Sequence, residues 1–330
     1  MTWNAKDLLG IEELTAGEIG TILDTAESFS EVTLRSVKKV PALRGKIVVN
    51  LFYEPSTRTQ HSFSLAAKSL SAEVQPFSVA SSSTTKGETL LDTARNLQAT
   101  GADIIILRHP ASGSARHLAR ALTASVINAG DGAHEHPTQA LVDLFTLRRR
   151  FGRIAGLRVA IVGDVLHSRV ARSNLWGLLR LGAQVVLVGP STLVPREFEN
   201  LGVEIHHDID RELERCDAFN FLRIQTERQA AGLFPSLREY TAMFGMNATR
   251  ARRLKPGAVI MHPGPVNRGV ELTAEVADGP RSVILEQAAH GLAVRMAVLF
   301  LVSGHAPQGQ GSDSAVQGAS SPATTHNERS

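Results

Sequence analysis

The segment Lys46-Ile47-Val48-Val49-Asn50-Leu51-Phe52-Tyr53 runs directly into Glu54-Pro55-Ser56-Thr57-Arg58-Thr59. Its first part is a short, bounded apolar run rich in β-branched residues, the signature of a strand buried on both faces. Beyond Pro55 the apolar residues fall at Phe63, Ala67 and Leu70, the spacing of one helix face. Strand, polar turn and helix in that order form the repeating unit of a parallel sheet. The unit recurs along the chain. Val74 to Val79, Asp103 to Leu107 and Ser125 to Asn128 read as strands, with helices over Glu88 to Ala99 and Ser114 to Leu122 between them. A second series opens at Arg158 to Asp164 and continues with a helix over Arg169 to Leu181 and strands at Gln184 to Val188, Ala218 to Leu222 and Ala258 to Ile260. Alternating strands and helices require right-handed crossovers, so the expected class is α/β, with two doubly wound parallel-sheet domains joined by helices. The joining helix is expected over Pro137 to Arg150, with proline at its start and Gly152 as its stop. No repeat of solenoid period is visible.

Composition narrows the function classes. The chain has 330 residues, with 35 Lys+Arg against 32 Asp+Glu and a net charge of +3. Although the isoelectric point is about 9.2, so small a surplus cannot form the dense cationic face that a nucleic-acid backbone requires. The single cysteine, Cys216, allows neither an intrachain disulfide nor a multi-cysteine zinc site and suits a reducing compartment. The N-terminal stretch lacks the apolar core of a signal peptide, and no run stands out as a membrane span, so a cytoplasmic location without membrane or nucleic-acid partners is expected. From Pro307 to Ser330 the sequence is polar, with Val316 its only large aliphatic residue, and residues 306–330 read as a disordered tail.

In open parallel sheets ligands bind beyond the carboxyl ends of the strands, so the strand-to-helix turns are the places to look for chemistry. Ser56, Thr57, Arg58 and Thr59 combine hydroxyls, helix N-terminal N–H groups and a guanidinium fork, a set suited to phosphate; an ordinary helix cap beside an exposed arginine is the plainer alternative. Ser81 to Glu88, containing Ser82 and Lys86, is a polar loop that suits either a simple connection or a closing lid. Arg108 ends a strand, and His134-Glu135-His136-Pro137-Thr138-Gln139 follows another. His134 and His136 lack the companion ligands of a zinc site, and no metal is expected. A neutral His136 donating to a carbonyl oxygen fits the arginine-rich surroundings better. His262-Pro263-Gly264-Pro265 forms a rigid turn whose carbonyls can face a ligand. Val162-Gly163-Asp164 lacks the further glycines of a dinucleotide fingerprint, and Gly45-Lys46 precedes a strand instead of opening a helix, which disfavours nicotinamide and P-loop chemistry. Asn247-Ala248-Thr249 is a chance match to a glycosylation sequon. Arg58, Lys86, Arg108, Arg169 and Arg223 thus all sit at strand-end loops. Converging in one cleft, they would require a polyanionic set of ligands.

These segments resemble the aspartate/ornithine carbamoyltransferases over nearly the whole chain to about Val302. Ser56-Thr57-Arg58-Thr59 and His136-Pro137-Thr138-Gln139 match the two carbamoyl phosphate signatures of that family. Lys86-Gly87-Glu88 and His262-Pro263-Gly264-Pro265 are similar to its aspartate-using branch, and the cysteine-bearing segment of the ornithine branch is absent. Gly264 stands where members with a zinc-bearing regulatory chain often carry leucine. The resemblance implies transfer of the carbamoyl group from carbamoyl phosphate to the α-amino group of L-aspartate, giving N-carbamoyl-L-aspartate and phosphate in pyrimidine biosynthesis, without a cofactor. It implies a carbamoyl phosphate-binding domain over 1–143, an aspartate-binding domain over 144–284, and a helix over 285–303 packing back on the first domain.

By the same resemblance, Ser56, Thr57, Arg58, Thr59 and Arg108 hold the phosphate, while Thr59, Arg108 and His136 face the carbonyl oxygen. Gln139 and carbonyls near Pro263 and Gly264 accept from the carbamoyl NH₂. Arg169, Arg223 and Gln225 bind the aspartate carboxylates, with Lys86 and Ser82 supplied by a neighbouring subunit of a homotrimer. Glu54, Arg169 and Arg228 correspond to an ion-pair set that holds the closed state. Higher assembly with a regulatory chain or dihydroorotase is the family's further repertoire.

Overall fold

The computed structural model describes residues 3–78, 88–224 and 236–304. Ser82, Lys86, Gln225, Arg228 and the tail at 306–330 lie outside the described residues. The first part of the chain runs α1 (Ala16–Thr33), β1 (Ile47–Phe52), α2 (Thr57–Ser69), β2 (Glu73–Ser78), α3 (Leu90–Ala99), β3 (Ile104–His109), α4 (Ser114–Ala121), β4 (Ser125–Asp131) and α5 (Pro137–Phe151). The second runs β5 (Arg158–Val162), α6 (Arg169–Arg180), β6 (Gln184–Val188), β7 (Glu204–His206), β8 (Ala218–Phe221), α7 (Leu237–Phe244), α8 (Ala248–Arg253), β9 (Val259–Met261), α9 (Ala274–Ala277) and α10 (Ile284–Ser303). The named strands form two parallel sheets, ordered β2-β1-β3-β4 and β7-β6-β5-β8-β9. In each, the chain starts inside the sheet and winds outward in both directions. The α/β class with two parallel sheets is therefore the architecture of this protein.

Alternation along the strands explains why both faces are covered. Val49, Leu51, Ile105, Leu107 and Val126 pack with Ala94, Ala115 and Leu118 of α3 and α4 on one side of the first sheet. Val48, Ile104, Ile106 and Ile127 point the other way, into a cluster that continues through Leu141, Leu144 and Phe145 of α5 and Leu175 of α6 to Val159, Ile161, Val185 and Leu187 of the second sheet. One apolar body therefore underlies both sheets on this side. Its helix α5 begins with Pro137 and ends at Gly152, whose φ of 75° closes the last turn.

Helix α10 corrects one expectation. Its 20 residues, with a mean hydropathy of 1.4, are long and apolar enough to cross a membrane by length and composition. In the fold it packs against α1, α2 and α5, with Val294, Met296, Leu299 and Val302 fully enclosed. Its apolarity is that of a core helix. Details also differ from the sequence reading, such as β4 running on to Asp131. Helix α3 starts at Leu90 behind an N-cap at Thr89, whose hydroxyl accepts from Asp92 N–H. The short edge strand β7 was not visible, because three residues carry too little periodicity to register.

Candidate active site

At the end of β1 the chain makes the turn that opens α2. Ser56 occupies the N-cap position, yet no side chain caps the helix; its hydroxyl donates to Thr59 Oγ1 at 3.0 Å. The side-chain cap of the plainer reading is therefore absent, while Arg58 is exposed as that reading had it. The first N–H groups of α2 keep their partial positive charge for an anion, with Arg58 at the same place. Burial and the nearby Arg223 both pull the Arg58 guanidinium below its ordinary value, so each favours the arrival of negative charge.

The ends of β3 and β4 bring two further groups. Arg108 donates from Nη1 to the carbonyl of Ala129 at 3.2 Å, and its Nε lies 3.5 Å from Glu54 Oε2. That same carboxylate oxygen accepts from Arg169 Nη2 at 2.6 Å. Glu54 follows β1 and Arg169 opens α6, so this carboxylate ties the first sheet to the second. Gly130, at φ 115°, lets the Arg169 guanidinium approach the backbone closely, since a Cβ there would stand 3.0 Å from its central carbon. His136 is buried between these cations. Burial first, then Arg108, Arg169 and Arg295, hold its pKa well below the ordinary histidine value, so the ring is neutral at physiological pH. Thr138 Oγ1 lies 3.5 Å from Nδ1, and Ser173 Oγ accepts the His136 backbone N–H at 2.8 Å.

Across the cleft, β9 leads into the His262–Pro265 turn. His262 Nδ1 accepts from Gly264 N–H at 2.7 Å, and Gly264 adopts φ 69° ahead of a cis bond to Pro265. A Cβ at Gly264 would run into the Arg58 guanidinium, so the two turns meet face to face. The buried carboxylate of Glu271 accepts from Ile224 N–H at 2.8 Å and from Asn267 through both its backbone N–H and its Nδ2, which fixes the backbone immediately after Arg223.

A cleft of about 940 Å³ results, and its walls bring together Ser56, Thr57, Arg58, Thr59, Arg108, His136, Gln139, Arg169, Arg223 and the His262–Pro265 turn. Among the wall residues that escaped the sequence reading, two polar ones stand on one helix. Gln287 and Arg295 project from α10, where they stand eight residues apart on one line of an apolar helix with the small Gly291 between them. That line was the available signal. Arg295 is buried over the Phe63 ring at 5.3 Å, donates to Ser62 Oγ and Gly291 O, and is pulled down to about 10 by burial. His134 does not pair with His136. It stands with Glu12 and Glu135 in a group of metal-ligand type, but Glu135 is occupied as an acceptor from Ile11 N–H, Glu12 N–H and the Ser173 hydroxyl.

Fold and site together define an α/β enzyme with two parallel sheets and a cleft built for several anionic groups at once. Residues 6–149 match the family model described as aspartate/ornithine carbamoyltransferase, carbamoyl-P binding domain, and residues 155–302 match its Asp/Orn binding domain. The chain belongs to the aspartate/ornithine carbamoyltransferase family. It is 58% identical over 304 residues to the aspartate carbamoyltransferase catalytic subunit of Halothermothrix orenii, covering 92% of this chain and 97% of that one. It is likewise 58% identical over 308 residues to the subunit of that name from Opitutus terrae, covering 93% and 98%. Among solved structures it is similar to aspartate transcarbamoylase from Trypanosoma cruzi in complex with carbamoyl phosphate and aspartate, with a TM-score of 0.82, 31% identity, and coverage of 90% of this chain and 97% of that one. The same enzyme in complex with N-(phosphonacetyl)-L-aspartic acid gives a TM-score of 0.81 at 32% identity, with coverage of 90% and 96%.

Proposed function

We propose that this chain transfers the carbamoyl group of carbamoyl phosphate to the α-amino group of L-aspartate, releasing phosphate and N-carbamoyl-L-aspartate for pyrimidine synthesis. The observation that carries this reading is the convergence of Arg58, Arg108, Arg169 and Arg223 on one cleft with a neutral His136. One phosphate and two carboxylates match that cationic set, and the named relatives act on or hold ligands of this chemistry.

In the reaction the amine lone pair attacks the carbamoyl carbon and negative charge develops on the carbonyl oxygen. Thr59, Arg108 and His136 are the donors for that oxygen, and because they are already in place little reorganisation accompanies the step. The bond from carbon to the phosphate oxygen then breaks. The ammonium proton passes to that leaving oxygen, so that phosphate departs as a dianion, received by Ser56, Thr57, Arg58 and the N-terminus of α2. Gln139 and the carbonyls of the His262–Gly264 turn accept from the carbamoyl NH₂. Arg169 and Arg223, with Gln225, take the two carboxylates, and the guanidinium fork suits each of them better than a lysine would. Ser82 and Lys86 complete the site from a neighbouring copy in a cytoplasmic homotrimer, to which a regulatory chain or dihydroorotase adds in some assemblies. The Glu54 bridge to Arg169, with Arg228, serves domain closure, which brings amine and carbonyl together and excludes water.

Purified protein given carbamoyl phosphate and either aspartate or ornithine tests the choice of acceptor. Turnover with aspartate at least about a hundredfold above ornithine is expected, because ornithine brings a cationic group in place of the second carboxylate to a cleft already lined by arginines. Preference for ornithine would overturn the reading.

A further inference from the structure

Asp143 lies one helical turn after Gln139 on α5, fully buried, and takes no direct part in the chemistry just described. Four side-chain amides donate to its carboxylate. Gln139 Nε2 and Gln287 Nε2 both reach Oδ1 at 2.9 Å, while Asn174 Nδ2 reaches Oδ2 at 2.8 Å and Asn220 Nδ2 at 3.1 Å. These donors come from α5, α10, α6 and β8, and each element or its continuation carries a wall of the cleft. Gln287 extends the chain of bonds. Its Oε1 accepts from His262 N–H at 3.0 Å, and His262 Nδ1 accepts from Gly264 N–H. An unbroken hydrogen-bond path therefore runs from Gln139 on one side of the cleft to Gly264 on the other, through Asp143.

Amides alone do not choose which end faces a ligand. A carboxylate offers only acceptors, so it draws the NH₂ end of every amide it meets and turns the carbonyl end away. A reversed Gln139 would set its oxygen against Asp143 Oδ1, and a reversed Gln287 would set an NH₂ against the His262 N–H. Burial pushes the Asp143 carboxyl upward and the four amides oppose that shift. An added proton on the carboxyl would face a donor on every side.

We propose that Asp143 is a positioning residue that holds the amides of Gln139 and Gln287 in one orientation, so that Gln139 Oε1 and the His262–Gly264 turn present acceptors to the same carbamoyl NH₂. This rests on the carbamoyl-transfer reading above. A group serving only the packing of α5 would weaken every ligand alike. A group setting these acceptors affects ligands that carry the NH₂ and spares inorganic phosphate, which does not.

Asp143→Asn replaces one acceptor oxygen by a donor at constant shape. In calorimetric titrations carbamoyl phosphate is expected to bind about tenfold more weakly, the scale of one misdirected hydrogen bond, with inorganic phosphate changed less than about twofold. The double variant Asp143→Asn with Gln139→Ala is expected to lose less carbamoyl phosphate affinity than the sum of the two single losses, since part of the Asp143 effect runs through Gln139. Equal weakening of both ligands, or additive losses in the double variant, would overturn the role. Where Asp143→Asn does not fold, Gln287→Met breaks the path beyond Asp143. The same selective loss supports the proposal, and an unchanged ratio of the two affinities overturns it. Wild-type turnover with aspartate is measured alongside, so its absence would defeat the parent reading and not this one.

Discussion

At Gly264 two constraints meet in one residue. Its φ of 69° lies in the left-handed region, and the space where a Cβ would stand is taken by the Arg58 guanidinium. Alanine there is unfavourable by about 1–2 kcal/mol from backbone conformation alone, and it also displaces the arginine assigned to the phosphate. Gly264→Ala is therefore expected to raise KM for carbamoyl phosphate roughly tenfold, on the scale of 1.4 kcal/mol per decade, with a smaller change in KM for aspartate. Steady-state kinetics with each substrate varied in turn provides the check; unchanged constants would show that Arg58 relocates without loss. Histidine chemistry at this scale was legible beforehand. A neutral His136 was expected from its arginine-rich surroundings, and the structure supplies the larger cause, burial, which no single sequence displays. Asp143 and Arg295 were not legible, because a polar residue inside a helix acquires meaning only from partners many residues away.

Elements were read where their periodicity was long. The strand run at 46–53 and the helix after Pro55 stand where expected, as does α5 between Pro137 and Gly152. Short pieces such as β7, α8 and α9 have no period to read and are held by their neighbours. Helix α10 is the instructive case. Apolar around most of its circumference, it reads locally as a core helix or a membrane span alike, and its packing against α1, α2 and α5 decides between them. Leu299 sits in that contact with no exposed surface. Leu299→Ala is expected to destabilise the protein by about 2–5 kcal/mol, seen as a lower midpoint in urea unfolding with the slope retained. Because α10 also carries Gln287 and Arg295, activity at low denaturant should fall before the global transition. A stability within about 0.5 kcal/mol of wild type would mean that the helix contributes little to the common core.

Over the whole molecule the net charge of +3 is unremarkable, yet its distribution is not. Arg58, Arg108, Arg169, Arg223 and Arg295 all border one cleft, and Glu54 bridges Arg108 and Arg169 across the two sheets. Carboxylates that balance cations elsewhere are sparse there, so the field is directed at ligands. The sequence showed cations at strand ends; that they share a cleft follows from the order of strands in the two sheets, which local patterns do not encode. Such a site must hold the carbamoyl donor and the amine together, and must transfer the group to nitrogen instead of to water. The direct measurement follows the carbon itself. Carbamoyl phosphate labelled with ¹³C is incubated with the enzyme and excess aspartate and observed by NMR. The label should appear in N-carbamoyl-L-aspartate with one equivalent of phosphate released, and label recovered as bicarbonate, or left in the donor, would contradict the assignment.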